Sequence, residues 1–115
     1  MMAFNEVVRL KGDDHQYQLS SELKLFTLSD LGFTKTRNGN FEFKRSLDPN
    51  SPYLKKSIKL KVMIKQDLKS FKLSVVDGSE LKEVDIFSTD KYENERTQFD
   101  FLMDNFILRK VFIKS

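Results

Sequence analysis

The chain has one histidine, and its neighbours decide what chemistry it could do. His15 follows Asp13 and Asp14 in a segment whose composition is typical of a turn. A zinc site or a general base would need further partners at suitable spacing, which this segment does not supply. Two adjacent aspartates are also too few for calcium, which takes roughly six or more oxygen ligands. We therefore expect His15 to be a solvated loop residue, and we predict no metal and no cofactor.

The sequence contains none of the common catalytic motifs. It has no phosphate-binding or dinucleotide-binding glycine loop, no nucleophile elbow and no H-E-x-x-H pair. It also has no cysteine, which excludes a thiolate nucleophile and means that the chain cannot itself carry a persulfide. The 17 acidic residues leave catalysis by paired carboxylates open, but no pair stands out. We predict no catalytic residues, do not favour an enzyme, and expect a reduced, cytoplasmic location.

The best candidate for a small-molecule site is the loop at residues 45–53. Arg45, Asn50, Ser51 and Tyr53 offer a cation, an amide, a hydroxyl and an aromatic ring. Sites for small anionic ligands commonly combine such groups on a rigid loop. The aspartate, asparagine and prolines of this loop are also ordinary turn residues, so a purely structural loop is the simpler alternative.

Lysines dominate one face of the clearest strand, residues 58–65 (IKLKVMIK). Apolar side chains alternate with lysines there, and a shift of one residue would bury three lysines, which strongly determines the strand's orientation. Residues 58–76 carry five lysines and one aspartate, a net charge of +4, whereas residues 77–104 carry nine acids and three bases, a net charge of −6. We therefore predict a basic outer sheet face.

A nucleic-acid-binding module using this basic face is the alternative functional hypothesis. Its candidate residues are Lys59, Lys61, Lys65 and Lys72. Nucleic-acid platforms also present aromatic rings on which bases stack. The apolar residues between these lysines are predicted to point inward, so any nucleic-acid binding would be electrostatic and weak. A solvated face on which lysines prevent edge-to-edge aggregation is the simpler alternative.

A single domain over residues 1–115 must position these groups. At this length one domain buries about two-thirds of its unfolded surface. The apolar runs are far shorter than the roughly 20 residues that a membrane helix needs, so we expect no membrane partner.

The patterns predict strands at residues 4–10, 16–19, 58–65, 71–76 and 82–87. They also predict a hairpin over 33–46 with a type I′ turn at Asn38-Gly39, a helix from Ser20 to a stop at Gly32, and a helix over 90–108. The order β-α-β-β-β-β-α indicates an α+β fold, an antiparallel sheet with helices on one face.

The predicted C-terminal helix carries apolar residues on both of its faces. Its core stripe runs through Phe99, Leu102 and Phe106, while Phe101 and Leu108 point to the opposite side. Either residues 111–113 after the helix, or the N-terminal segment, fold back over these two residues, or they form an interface with a second copy or a partner. The simplest interface is an isologous homodimer across this helix.

Three segments resemble a known protein family. They are residues 27–33 (TLSDLGF), 45–53 (RSLDPNSPY) and 101–107 (FLMDNFI). Together they are similar to the Lp2179-like family of small bacterial proteins assigned to amino-acid metabolism, and the resemblance covers essentially the whole chain. It implies a fold like that of the TATA-binding protein. It also implies a non-catalytic accessory or regulatory protein, with cysteine and sulfur metabolism as the narrower option. Because the chain has no cysteine, a role in sulfur chemistry would act through a protein partner.

Overall fold

Seven short strands and two α-helices form in the part of the chain that the structure, a computed structural model, describes: residues 4–48 and 57–115. The first half contains β1 (Val7–Val8), β2 (Tyr17–Leu19), α1 (Leu25–Asp30), β3 (Thr34–Lys35) and β4 (Phe41–Ser46). The second half contains β5 (Lys59–Ile64), β6 (Phe71–Val76), α2 (Glu93–Leu108) and β7 (Phe112–Lys114). The chain is α+β, with two antiparallel sheets and one main helix. No helix in these ranges is both long and apolar enough to span a membrane.

The four-stranded sheet, in the order β3-β4-β5-β6, separates an apolar face from a charged one. Phe43, Val62 and Leu73 lie side by side across β4, β5 and β6 and are all buried. The adjacent row, one residue away along each strand, contains Lys44, Lys61 and Ser74. Because side chains alternate along a strand, these rows belong to opposite faces, and the alternation predicted for β5 and β6 is confirmed.

Helix α2 covers the apolar face. Phe99, Leu102, Met103 and Phe106 are buried, which confirms the predicted core stripe. The ring of Phe106 lies 5.1 Å from that of Phe43, in an edge-on contact between helix and sheet. A short 3₁₀ turn, Asp90–Tyr92, precedes the helix, and the Thr89 side chain accepts a hydrogen bond from the backbone N–H of Lys91. Thr89 thus caps the 3₁₀ turn that leads into α2, and the apolar stripe holds α2 on the sheet.

The three-stranded sheet, in the order β1-β2-β7, contains a strand that the sequence patterns did not predict. Strand β7 pairs with β2 from Tyr17 opposite Lys114 to Leu19 opposite Phe112. The backbones of Asn5 and Phe71 exchange two hydrogen bonds of 2.9 Å, which join this sheet to the edge of β6. The predicted single sheet is therefore wrong, because the two ends of the chain form a second one.

The first helix begins later than predicted. The backbone N–H of Ser20 donates to the Val111 carbonyl, so pairing with the C-terminal segment continues past β2 and delays the helix. The Ser20 hydroxyl accepts from the backbone N–H of Glu22 in a local turn and does not cap α1, which begins at Leu25. Gly32 ends the helix at φ +97°, as predicted.

The predicted type I′ turn at Asn38-Gly39 is wrong. Only Gly39 has a positive φ, +87°, among the residues of this turn. The Thr36 N–H donates to the Asn40 carbonyl and the Gly39 N–H donates to the Thr36 carbonyl, which closes a three-residue loop. A longer loop with one left-handed residue at its end is the next most common hairpin connection.

The predicted strand at residues 82–87 is also wrong, and with it the order β-α-β-β-β-β-α. This segment makes one isolated bridge, between Glu83 and Val76 of β6. The Asp85 carboxylate accepts hydrogen bonds from the backbone N–H groups of Phe87 (2.8 Å) and Ser88 (3.0 Å), which turns the chain away from the sheet.

Candidate functional site

A pocket of about 420 Å³ lies on the outer face, which we define as the side of the four-stranded sheet opposite α2. Outward side chains of β5 and β6 form its floor, and residues 80–83 form one wall. Among its lining residues are three cations and two carboxylates: Lys61, Lys72, Lys82, Glu80 and Glu83. The pocket can therefore offer charges of both signs to one small ligand.

Three lysines converge on the carboxylate of Glu80. The Lys44 and Lys61 ammonium nitrogens each lie 3.2 Å from Glu80 Oε1. The Lys59 ammonium lies 3.6 Å from Oε2 and donates a hydrogen bond of 3.4 Å to the Gly78 carbonyl. We call Lys44, Lys59 and Lys61 the lysine cluster. Lys44 on β4 lies opposite Lys61 on β5, and Lys59 is two residues from Lys61 on the same face of β5, so the three side chains lie close together.

The electrostatics of the cluster favour an ionised Glu80. Burial opposes ionisation of this carboxyl, but hydrogen bonds and Coulomb attraction from Lys61 and Lys44 outweigh it and lower the pKa of Glu80. Glu42 adds a weaker contact, 3.8 Å from Lys44. The positive charge of the cluster is thus balanced in part by a Glu80 carboxylate that stays charged at neutral pH.

The turn at residues 77–82 places Glu80 over the lysine cluster. The Asp77 carboxylate accepts from the Ser79 hydroxyl and from the backbone N–H of Leu81, while the Glu80 N–H donates to the Asp77 carbonyl. Glu80 itself has φ +64°, a left-handed conformation that is costly for a residue with a side chain. The residue that contacts the three lysines is therefore held in an unfavourable backbone conformation.

The four lysines of the nucleic-acid hypothesis have different surroundings. Lys59 is buried beneath the turn, with 3% of its side chain exposed. Lys61 pairs with Glu80, and the Lys72 ammonium lies 4.6 Å from the centre of the Phe4 ring. Lys65 is exposed just beyond β5. Two of the four are thus held by one carboxylate; nucleic-acid binding through these residues stays a prediction.

The predicted small-molecule loop is only partly described. Arg45 is exposed at the end of β4, with its guanidinium 5.3 Å from the centre of the Phe43 ring. Asn50, Ser51 and Tyr53 lie outside the described residues. The site at residues 45–53 stays a prediction.

A second concavity, of about 400 Å³, lies between the β1–β2 turn and α2, and its surroundings are acidic. Asp13, Asp100 and Asp104 line it together with the buried Tyr17. Burial raises the pKa of Tyr17 well above its usual value, and the three aspartates raise it further. Asp13 Oδ2 is buried and has no hydrogen-bond partner within the described part of the chain.

His15 lies at the rim of this acidic concavity. Its side chain is about half exposed and its Nδ1 lies 3.4 Å from Asp13 Oδ1. Within residues 4–48 and 57–115, no three or more His, Asp or Glu side chains are arranged so that they could hold a metal ion. The exposed loop position agrees with the one predicted for this histidine.

The two apolar residues on the outer side of α2 are exposed: 69% of Phe101 and 78% of Leu108 are accessible. The segment after the helix does not cover them, because Val111 and Phe112 are themselves buried in the core. The proposed contact across this helix stays a prediction.

Sequence reasoning missed Glu80 and Lys44. Their contact depends on the turn after β6 folding back over the outer face of the sheet, and no local pattern indicates that direction. One signal was present, because Asp77-Gly78 marks a tight turn directly after a basic strand pair. An acidic residue in such a turn is a candidate partner for the neighbouring lysines.

Comparison with known proteins identifies relatives along the whole chain. Residues 2–113 match the DUF1831 family, described as "Putative amino acid metabolism". The crystal structure of a DUF1831 family protein (lp2179) from Lactobacillus plantarum is similar to this chain, with 39% sequence identity, a TM-score of 0.90 and full coverage of both chains. No curated protein matches the chain.

Proposed function

The chain belongs to the DUF1831 family, and from this premise we propose that it is a non-catalytic accessory or regulatory protein of amino-acid metabolism that binds a small metabolite on its outer face. The pocket beside Glu80 carries the proposal, because lysines and glutamates line one volume of about 420 Å³. An α-amino acid has a carboxylate and an ammonium group. Lys72 or Lys82 is suited to pair with the carboxylate, and Glu83 is suited to pair with the ammonium group. The volume is within the usual range for small-molecule sites, roughly 300–1,000 Å³.

Calorimetric titration with amino acids and their 2-keto and phosphorylated derivatives tests the binding. We expect at least one of these compounds to bind the wild type, and we expect Lys72→Met to weaken that binding. Arg45→Ala is the matched control, since it removes a cation at the alternative site on the 45–53 loop. Loss of binding in Arg45→Ala but not in Lys72→Met would move the site to that loop. Absence of binding by every compound would overturn a metabolite-binding role.

The accessory role needs a separate test. Affinity capture from the native cell should recover an enzyme of amino-acid metabolism, and added metabolite should change its yield. An enzyme of cysteine or sulfur metabolism would support the narrower option, in which the chain acts through a partner because it has no cysteine. Recovery of no metabolic enzyme above background would count against the accessory role. The TATA-binding-protein-like topology implied by the resemblance stays a prediction and carries no DNA-binding function.

A further inference from the structure

We propose that the lysine cluster is a binding site for a doubly charged oxyanion, and that the Glu80 carboxylate occupies this site in the ligand-free protein. The inference rests on the proposed function, because Glu80 and Lys61 line the same pocket. It adds the chemical class of the ligand: a phosphate or dicarboxylate group, held by Lys44, Lys59 and Lys61.

The charges around the pocket are unbalanced. Among the described residues, five lysines and three glutamates line the pocket, belong to the lysine cluster or form an ion pair with it. Their net charge is +2. They are Lys44, Lys59, Lys61, Lys72 and Lys82, with Glu42, Glu80 and Glu83. Glu80 brings one negative charge to three ammonium groups, and a group with two negative charges would balance them better.

Burial of Lys59 favours an anion beside its ammonium group. Only 3% of this side chain is exposed, so its ammonium is largely separated from water. A buried charge is tolerated when a charged partner or hydrogen bonds replace the lost hydration. The Gly78 carbonyl supplies one such hydrogen bond and Glu80 supplies the opposite charge. Either Glu80 or an incoming anion can serve as this partner.

Glu80 is placed so that a ligand can displace it. Its side chain is 30% exposed and faces the pocket, so a ligand can approach from solvent. The carboxylate is carried by a turn outside the sheet, so rotation of one side chain would empty the site while the three lysines stay on β4 and β5.

The geometry favours an oxyanion with several oxygens. Three ammonium groups already surround two carboxylate oxygens at 3.2–3.6 Å. Lysine binds phosphate and carboxylate as a point charge and does not require a fixed bidentate geometry. Inorganic phosphate and succinate are therefore suitable probes, and acetate, with one charge, is their control.

Calorimetric titration of phosphate into the full chain, at constant ionic strength, tests the inference with Glu80→Gln and its matched control Glu83→Gln. Glu83 lines the same pocket, and the ion pairs described around the cluster do not include it. We expect Glu80→Gln to bind phosphate about tenfold more tightly than wild type, which corresponds to Glu80 occupying the site about nine-tenths of the time. Glu83→Gln should not share this gain. Equal phosphate affinity in the two variants would overturn the inference.

Thermal unfolding gives a second readout if Glu80→Gln is poorly stable. Its melting temperature should be lower than that of wild type in chloride and should recover in phosphate, because phosphate replaces the lost partner of Lys59. Adding Lys59→Met should abolish this recovery. Recovery by succinate but not phosphate would assign a dicarboxylate, and recovery by acetate to the same extent would contradict a doubly charged ligand.

The same experiments separate this inference from the proposed function. Phosphate binding that depends on Glu80, with no binding by any amino-acid metabolite, would overturn the function and leave the anion site. A metabolite that binds wild type and Glu80→Gln with equal affinity would overturn the anion site and leave the function.

Discussion

Two carboxylates of α2, Asp100 and Asp104, lie four residues apart on the helix and therefore repel each other. Burial raises the pKa of Asp100, and Asp104 and Asp13 add to this effect, while Lys114 and Arg96 oppose it. A raised pKa in the folded state means that ionised Asp100 disfavours folding, and this cost appears as pH rises through the folded pKa.

Asp100→Asn should therefore stabilise the protein at neutral pH. We expect the free energy of unfolding to rise by roughly 0.2–0.5 kcal/mol at pH 7, the usual size of a like-charge pair on a helix surface. Well below the ordinary aspartate value of 3.8 the Asp100 carboxyl is protonated in both the folded and the unfolded state, so the difference should vanish. Urea titrations at pH 7 and pH 3 measure this, and a variant less stable than wild type at pH 7 would contradict it.

Gly12 has a left-handed backbone and a close neighbour. Its φ is +83°, and a Cβ at this position would overlap the carboxylate of Asp85, which turns the chain at residues 85–88. Gly32→Ala is the matched control, since its φ is +97° but an added Cβ would meet nothing within 4 Å. We expect thermal unfolding to show a loss of about 1 kcal/mol for Gly32→Ala and a larger loss for Gly12→Ala. Equal losses would show that the Asp85 side chain moves away from an added Cβ at position 12 without a cost in stability.

At the scale of elements, α2 is apolar on two sides. One side packs on the sheet, while Phe101 and Leu108 are exposed on the other. A contact of these residues with another molecule, most simply a second copy of the chain, stays a prediction from their exposure.

Phe101→Asp should change the mass of the assembly and leave the fold intact. We expect light scattering to give a dimer for wild type and a monomer for the variant, with unfolding free energies that agree within about 0.5 kcal/mol. Phe26→Asp, on α1, is the control, because Phe26 is similarly exposed at 63%. A wild type that is monomeric at all concentrations would contradict the homodimer.

At the scale of the whole molecule, Phe112 on β7 joins the two sheets and the helix. Its ring lies 5.1 Å from that of Phe71 on β6, 5.8 Å from that of Phe106 on α2, and 6.4 Å from that of Tyr17 on β2. Only 1% of Phe112 is exposed. One side chain near the end of the chain thus contacts all three layers of the core.

Phe112→Ala should therefore destabilise the entire domain. We expect a loss of about 3–5 kcal/mol in the free energy of unfolding, the usual cost of truncating a buried phenylalanine. Ile113→Ala, one residue along the same strand, is the matched control because Ile113 is 43% exposed. Denaturant titrations of both variants provide the measurement. A similar loss in the two would show that Phe112 has no special role in joining the sheets.

Local patterns predicted the parts of the fold that depend on neighbours in sequence. Strands β5 and β6, their inward faces and the buried stripe of α2 are as expected, because alternation along the strands and helical spacing along α2 identify the side chains that pack on the core. The same reasoning failed for residues 82–87. The Asp85 carboxylate accepts hydrogen bonds there from the backbone N–H groups of Phe87 and Ser88, and these bonds compete with strand pairing.

The amino-acid sequence by itself determined the α+β class, the basic strand pair and the absence of cysteine chemistry, since each follows from composition or short-range spacing. Only the tertiary structure decided which charges meet. Glu80 reaches Lys44 across 36 positions, and Asp13 faces Asp100 across 87, because a turn and a second sheet bring them together. Coulomb energy depends on distance in space, and spacing along the chain does not reveal that distance.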